Sequence, residues 1–389
     1  MNDNPTWPPT CLSRRHLLTA GCAALISSPL CADSFPTAAF PGVVDSDTAN
    51  QTPIILHQTD LFRPHGDPDD HFDLATLFAL ALRGQAEVAA VVIDYPPALR
   101  RGDPDLAAVA QMNRLCGTSA AVTVGAKPQM SSINDTMPDL DKTETAAIDL
   151  ILATLRRAPR AIQITCVGSA TDLAVAAARE PKLFSDRCAA LHLDAGGARE
   201  NPEQPGTLEF NARLNPVAFA SLFSLGAPLY WYPCWDIVEK RQSGPNGTFY
   251  WLPHRDAFAG ISKRLKNFFV FMFDQTESAK WLHALDAEVD DQHWEAILTD
   301  QRGMWSTASI LRAARQTVTR DGDIVPVDSI DPKDELYRME PVEITCAPNG
   351  RTDWKPAEQE TGRKMFHLLD PQRYPGAMTR AVNTLLKEF

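Results

Sequence analysis

What the sequence lacks narrows it first. No C-x-x-C pair occurs among its eight cysteines, which excludes zinc and redox motifs of that kind. No H-E-x-x-H spacing is present either, so the helical zinc-protease signature is missing. Positive charge is scarce: 37 Lys and Arg stand against 49 Asp and Glu, a net charge of −12. Such a chain offers no broad cationic surface to displace counterions from a polyphosphate, and nucleic acid is not expected as a partner. There is no internal repeat, no low-complexity block, and no apolar run of the roughly 20 residues that a membrane span needs. What remains is 389 residues, 44% of them hydrophobic and 22% charged, which is the composition of a globular protein with a large core.

Residues 1–32 read as an address. Ser13, Arg14 and Arg15 precede an apolar run from Leu17 to Leu30, with polar, Pro-rich sequence after it. This order resembles a twin-arginine export signal, with cleavage expected after Ala32, residues 33–52 as a linker, and a periplasmic or secreted protein. Two other readings stay open. One is a lipoprotein attached at Cys22, against which Thr19 stands where Leu is wanted; the other is a cytoplasmic tail with a chance Arg pair. Cys11, Cys22 and Cys31 belong to this region, which leaves Cys116, Cys166, Cys188, Cys234 and Cys346, widely spaced and odd in number. Isolated buried thiols are expected of them.

From Pro53 onward, short apolar runs alternate with patterns of helical period. Pro53–Gln58 reads as a buried strand, and Leu74, Leu77, Phe78, Ala81 and Leu82 then mark one stripe of a helix. Strands at Val88–Ile93, Val122–Val124, Ala161–Val167 and Ala189–Leu193 alternate with helices at Asp105–Leu115, Glu144–Arg156 and Thr171–Arg179. That order predicts an α/β domain over 53–389 with a mostly parallel open sheet and helices on both faces. Ligands bind such sheets beyond the carboxyl ends of the strands, so the loops after Gln58, Asp94, Val167 and Leu193 are where chemistry is to be sought. Six of the eight tryptophans fall between Trp231 and Trp305, more in keeping with core than with a stacking platform; Trp305 alone stands out. The stretch Asp321–Arg351 is polar, and a closing helix is expected near Pro375–Phe389.

The segment Thr59–Asp73, TDLFRPHGDPDDHFD, sets Asp60, Asp67, Asp69, Asp70 and Asp73 close together. Carboxylates so crowded repel unless a cation or proton intervenes. A hard cation such as Ca²⁺ would draw on Asp side chains, carbonyls and water. Asp70, four residues before Leu74, projects from the helix start toward the sheet. The plainer alternative is a helix start with Asp67 as N-cap, Pro68 at the first helical position, and Asp69 and Asp70 in the first turn. His57, His65 and His71 read as loop histidines or donors to a substrate.

At this segment the sequence resembles the inosine-uridine preferring nucleoside hydrolases, whose first strand ends in a D-x-D-x-x-x-D-D run. Asp60 matches the second Asp, Asp69 and Asp70 match the closing pair, and Gln58 replaces the first; about five residues are inserted, so Asp60 and Asp67 compete for the early role. Val167-Gly168-Ser169-Ala170-Thr171-Asp172-Leu173-Ala174 is similar to the family's G-P-L-T-N-L-A turn. Ala195-Gly196-Gly197-Ala198, then Asn201, then Glu209-Phe210-Asn211, resemble its M-G-G and E-F-N segments. Asn215-Pro216 follows as a helix cap, and Asp236 resembles the Asp that closes the next strand. The family's late His-Asp pair is matched only by Trp305-Ser306. No carboxylate stands there, which leaves Asp290 or Asp291 as substitutes, or weaker metal binding, or none.

The resemblance implies hydrolysis of an N-glycosidic bond in a nucleoside or related glycoside. Asp60 is the expected base, and Asp60, Asp70 and the Val167 carbonyl are the expected Ca²⁺ ligands. Asp69, Asn201, Glu209 and Asn211 would hold the sugar, with Trp305 stacking on the leaving group. A non-catalytic exported protein that binds a nucleoside or sugar is the rival reading, and a hydrolase of another glycoside or ester is a third. Assembly into a homo-oligomer is left open.

Overall fold

The computed structural model describes residues 51–63, 68–96, 102–202, 204–239 and 242–389, all within one unit, Asn50–Phe389. The expected signal, most of the linker, Cys11, Cys22, Cys31, His65 and Asp67 lie outside the described residues. Nine strands form the central sheet: β1 (Ile54–Thr59), β3 (Glu87–Ile93), β5 (Ala121–Val124), β6 (Ile162–Val167), β7 (Cys188–Asp194), β8 (Leu229–Tyr232), β15 (Tyr337–Cys346), β16 (Thr352–Pro356) and β17 (Arg363–Leu368). Their order is β16-β15-β17-β8-β7-β6-β1-β3-β5. Pairing is parallel from β17 to β5 and antiparallel at β15–β17 and β15–β16. Short antiparallel ribbons join β2 (Phe62–Arg63) to β4 (Asp103–Pro104), β9 (Ile237–Glu239) to β10 (Gln242–Ser243), β11 (Tyr250–Pro253) to β12 (Gln301–Met304), and β13 (Gln316–Val318) to β14 (Ile324–Pro326). The mostly parallel α/β sheet is the one the alternation predicts.

Helices cover both faces. On one lie α1 (Asp69–Leu82), α2 (Leu106–Cys116), α9 (Lys263–Phe273), α11 (Thr307–Ala313) and α12 (Tyr374–Leu386); on the other lie α3 (Ala146–Arg157), α4 (Thr171–Arg179), α5 (Pro181–Arg187) and α7 (Pro216–Leu222). Three shorter helices, α6 (Phe210–Leu214), α8 (His254–Ala257) and α10 (Asp291–Leu298), sit in connections. Strand period 2 divides the sheet between two cores: Val91 and Ile93 pack under α1, while Ala90 and Val92 pack under α3. Each of the Val and Ile side chains, fully buried, stabilises the fold by about 1.5–3 kcal/mol.

Local chemistry sets the ends of several helices. Asp105 accepts the Ala108 N–H at 3.3 Å and caps α2, which stops at Gly117 with φ of 65°. Asn215 accepts the Ala218 N–H at 3.1 Å with Pro216 in the first turn of α7, the cap read from the sequence.

Two expectations are corrected. His57 and His71 are not loop histidines: His57 is central in β1 and His71 lies within α1, and both are buried. His57 stands in register with Thr165, His192 and Tyr230 on successive strands, and its Nδ1 lies 2.8 Å from Thr165 Oγ1. Burial lowers the His57 and His192 imidazoles to about 3, so both are neutral. The polar stretch Asp321–Arg351 contains β15, which with β16 and β17 extends the sheet beyond β8. The free thiols Cys166, Cys188 and Cys234 are buried as expected, while Cys116 and Cys346 are only half-buried. Of the tryptophans between Trp231 and Trp305, only Trp231 is fully enclosed.

Candidate active site

The carboxyl ends of β1, β3, β6 and β7 converge on one edge of the sheet, and each is followed by a functional group. Asp60 follows β1, Asp94 follows β3, the Val167 carbonyl ends β6, and Asp194 ends β7. All three acids are buried. Thr59 pairs with Val167 across β1 and β6, and its hydroxyl donates to Asp70 Oδ1 at 3.0 Å. Asp60, Asp70 and Val167, named from the sequence, are therefore gathered around one strand end.

Glu209 and Asn211 close the other side. The Glu209 carboxylate accepts the N–H groups of Gly196 at 2.7 Å, Asn211 at 3.0 Å and Ala212 at 3.1 Å, so it caps α6 and fixes the Gly196 turn together. The Asn211 amide donates to the carbonyls of Val167 at 3.0 Å and Asp194 at 3.4 Å, bridging β6 to β7. Burial raises the Glu209 carboxyl, its three backbone donors oppose that, and the charge of Asp60 adds to the rise. Asn201 lies half-buried on the loop between, its carbonyl accepting the Gln204 N–H at 3.1 Å. Asp69 is half-buried at the start of α1, and its charge reaches Cys234 beyond β8.

Four acids that the sequence reading gave no role are part of this edge. Asp94 accepts from Gln58 Nε2 at 2.6 Å and from the Ser169 N–H, and burial pushes its carboxyl up to about 8 against those bonds, with the charges of Asp172 and Asp60 adding. Asp172, in α4, accepts the Ala126 N–H at 2.9 Å and is pushed by burial to about 7. Asp73, fully buried in α1, is driven by burial to about 8, with Ser306 opposing. Asp194 is driven well above the carboxylate range by burial and by the charge of Asp73. The signal for Asp94 and Asp194 was their place, each the first residue past a predicted strand. A lone acid at that point is equally common as a turn former.

The turn after β6 is tightly built. A Cβ on Gly168 would stand 2.2 Å from Asp94 Oδ2 and 3.1 Å from the Asp60 nitrogen. Two residues on, Ala170 takes φ of 64°, a left-handed conformation that costs a non-glycine residue roughly 1–2 kcal/mol.

The late segment departs from the expectations. Trp305 follows β12 and packs on Phe249, ring centres 5.2 Å apart, and Phe249 also meets Trp251 edge-on at 5.2 Å. Ser306 stands beside Asp73. Asp290 and Asp291 do not substitute for the missing carboxylate: both are exposed at the start of α10, where Asp290 accepts the His293 N–H and Asp291 lies 3.8 Å from Lys266. They are exposed because they begin a helix with no buried residue. Asp236 is buried beyond β8, accepting the Asn246 N–H at 3.0 Å and lying 3.3 Å from Arg199 Nε.

The donor set suits a hard cation in kind, since Asp60, Asp70 and the Val167 carbonyl present only oxygen. It is sparse in number, because among the described residues no three His, Cys, Asp or Glu side chains form a ligand group.

No family model and no curated protein matches the chain. Solved structures do. The type III effector protein XopQ, complexed with adenosine diphosphate ribose, is 13% identical over 87% of this chain and 94% of its own, with a TM-score of 0.50. The likeness is one of fold. An inosine-uridine preferring nucleoside hydrolase from Bacillus anthracis is 12% identical over 86% of this chain and 99% of its own, TM-score 0.45. A purine-preferring ribonucleoside hydrolase from Gardnerella vaginalis is 16% identical over 86% and 99%, TM-score 0.47. Among the described residues no helix is long and apolar enough to cross a membrane.

Proposed function

We propose that the protein hydrolyses the N-glycosidic bond of a ribonucleoside or a related glycoside. The observation that carries this is the convergence of Asp60, Asp70, Glu209 and Asn211 on the ends of β1, β6 and β7. In this reading Asp60 takes a proton from the attacking water, whose oxygen bonds to C1′ as the C1′–N bond breaks; the base leaves with the bonding electron pair and takes a proton from solvent, and Asp60 releases its own proton to solvent. Asp69, Asn201 and the Glu209–Asn211 segment hold the sugar hydroxyls, where hydrogen bonds can strengthen in an oxocarbenium-like transition state. Trp305 offers the leaving base an aromatic face, since its indole carries no acid. A Ca²⁺ ion, held by Asp60, Asp70 and the Val167 carbonyl, would supply Lewis acidity toward the water.

The test is turnover of a nucleoside panel by the mature protein with and without Ca²⁺. Asp60→Asn is expected to lower turnover by about 10²–10⁴-fold. No turnover of any nucleoside or other N-ribosyl glycoside by the native protein, in either condition, sinks the reading.

A second reading, a non-catalytic protein that binds a nucleoside or sugar, is favoured by one feature: Ser306 supplies no late carboxylate. The effector of similar fold, complexed with adenosine diphosphate ribose, is in keeping with it. Binding without turnover would select this reading. For either, we infer export through the twin-arginine-type segment; processing after Ala32 and recovery from the periplasm would test it, and retention of the full chain in the cytoplasm would refute it.

A further inference from the structure

One hydrogen decides the state of Asp194. The Ser309 hydroxyl lies 2.7 Å from the Ser306 carbonyl oxygen and 3.2 Å from Asp194 Oδ2. A hydroxyl has a single hydrogen to donate, and a carbonyl oxygen can only accept. The shorter contact takes it, as helix serines commonly bond the carbonyl of the preceding turn. Asp194 Oδ2 then faces a lone pair on Ser309 Oγ and must bring a hydrogen of its own. Its other oxygen, Oδ1, lies 3.6 Å from Cys234 Sγ, whose thiol hydrogen it accepts.

We propose that Asp194 is a neutral carboxylic acid whose O–H donates to Ser309, and that it acts as a positioning residue which fastens the start of α11, and with it Trp305 and Ser306, to the end of β7. Two contacts share the work. Thr307 Oγ1 lies 2.9 Å from the Tyr250 hydroxyl of β11, and Ser309 meets Asp194. The segment that carries Trp305 is thereby tied to two strands at once. Burial, with the charges of Asp73 and Glu209, acts on the Asp194 carboxyl in the same direction. An ionised carboxylate there, with a weak thiol and a hydroxyl already engaged as its donors, would be costly to bury.

The consequence for ligand holding rests on the stacking role proposed for Trp305; the protonation and the fastening do not. Asp194→Asn is the deciding variant, because its amide keeps a donor toward Ser309 and an acceptor toward Cys234. It should melt within a few degrees of the native protein and leave the tryptophan emission unchanged. Asp194→Ala, which leaves Ser309 and Cys234 without that partner, should melt roughly 5 °C or more lower and shift the emission. The infrared difference spectrum, native minus Asp194→Asn at neutral pH, should show the carbonyl stretch of a protonated acid. The proposal is overturned if the Asn variant fails to fold, if it melts as low as the Ala variant, or if the difference spectrum shows carboxylate bands instead.

Discussion

Single residues at the strand ends carry two kinds of polar chemistry. Glu209 is largely committed, since three backbone N–H groups take three of its roughly four acceptor positions and make it a builder of this side of the site as much as a contact. Asp73 is the opposite case, fully buried with neither oxygen hydrogen-bonded at good geometry. Its carboxyl is raised from the ordinary 3.8 to about 8, so the folded state holds the proton more tightly than the unfolded one does. Its share of stability is therefore fully present below about pH 4 and is lost as the pH climbs to about 8. Asp73→Asn should flatten the fall in melting temperature over that interval and stabilise the protein at its upper end, by on the order of a few kcal/mol. Calorimetric melts from pH 4 to 8 check this, and an unchanged slope would show that Asp73 keeps its charge in the fold. Asp60, Asp70, Glu209 and Asn211 could be named in advance because their segments resemble a known family's motifs, and the fold brings those segments to one edge of the sheet. Asp94 and Asp194 were not, for nothing in their neighbours distinguishes an acid that faces inward from one that caps a turn.

At the scale of elements, the turn between β6 and α4 is a tight joint of the site. Gly168 admits the Asp94 carboxylate where a side chain would stand, and the left-handed Ala170 turns the chain into α4. Gly168→Ala should displace Asp94 from the Ser169 N–H, lower the unfolding free energy by about 2 kcal/mol or more, and weaken ligand binding with it. Urea titration together with binding measurements would show both losses; a variant as stable as the native chain would mean the turn is loose. The sheet strands and the helices from β1 to α4 were readable because short apolar runs alternate with segments of helical period, whereas the two-residue ribbon strands β2 and β4 were not. β15 and β16 escaped that reading because they lie at the sheet's antiparallel end, where half or more of their residues meet solvent and the sequence reads as polar loop.

For the whole molecule, the C-terminal quarter is part of the architecture rather than an appendage. β17 pairs in parallel with β8, and α12 buries Ala377, Met378, Ala381, Val382, Leu385 and Leu386 in the same core as α1. A chain ending at Ile330 should accordingly be insoluble or lack cooperative unfolding, as judged by sedimentation and calorimetry; a soluble, sharply melting fragment would contradict the fold. The parallel sheet and the edge where the acids gather were legible in outline, whereas the strand order beyond β8 was not, because order is set by contacts across hundreds of residues. The row of His57, Thr165, His192 and Tyr230 bears on how that order is reached. Parallel strands of similar aliphatic content could slide past one another at little loss. A slip by one position would turn the uncharged imidazole of His57 toward Ile164 and leave its Nδ1, now paired with Thr165, in hydrocarbon. The row works as an alignment key: misaligned sheets are penalised during assembly, before any ligand is met.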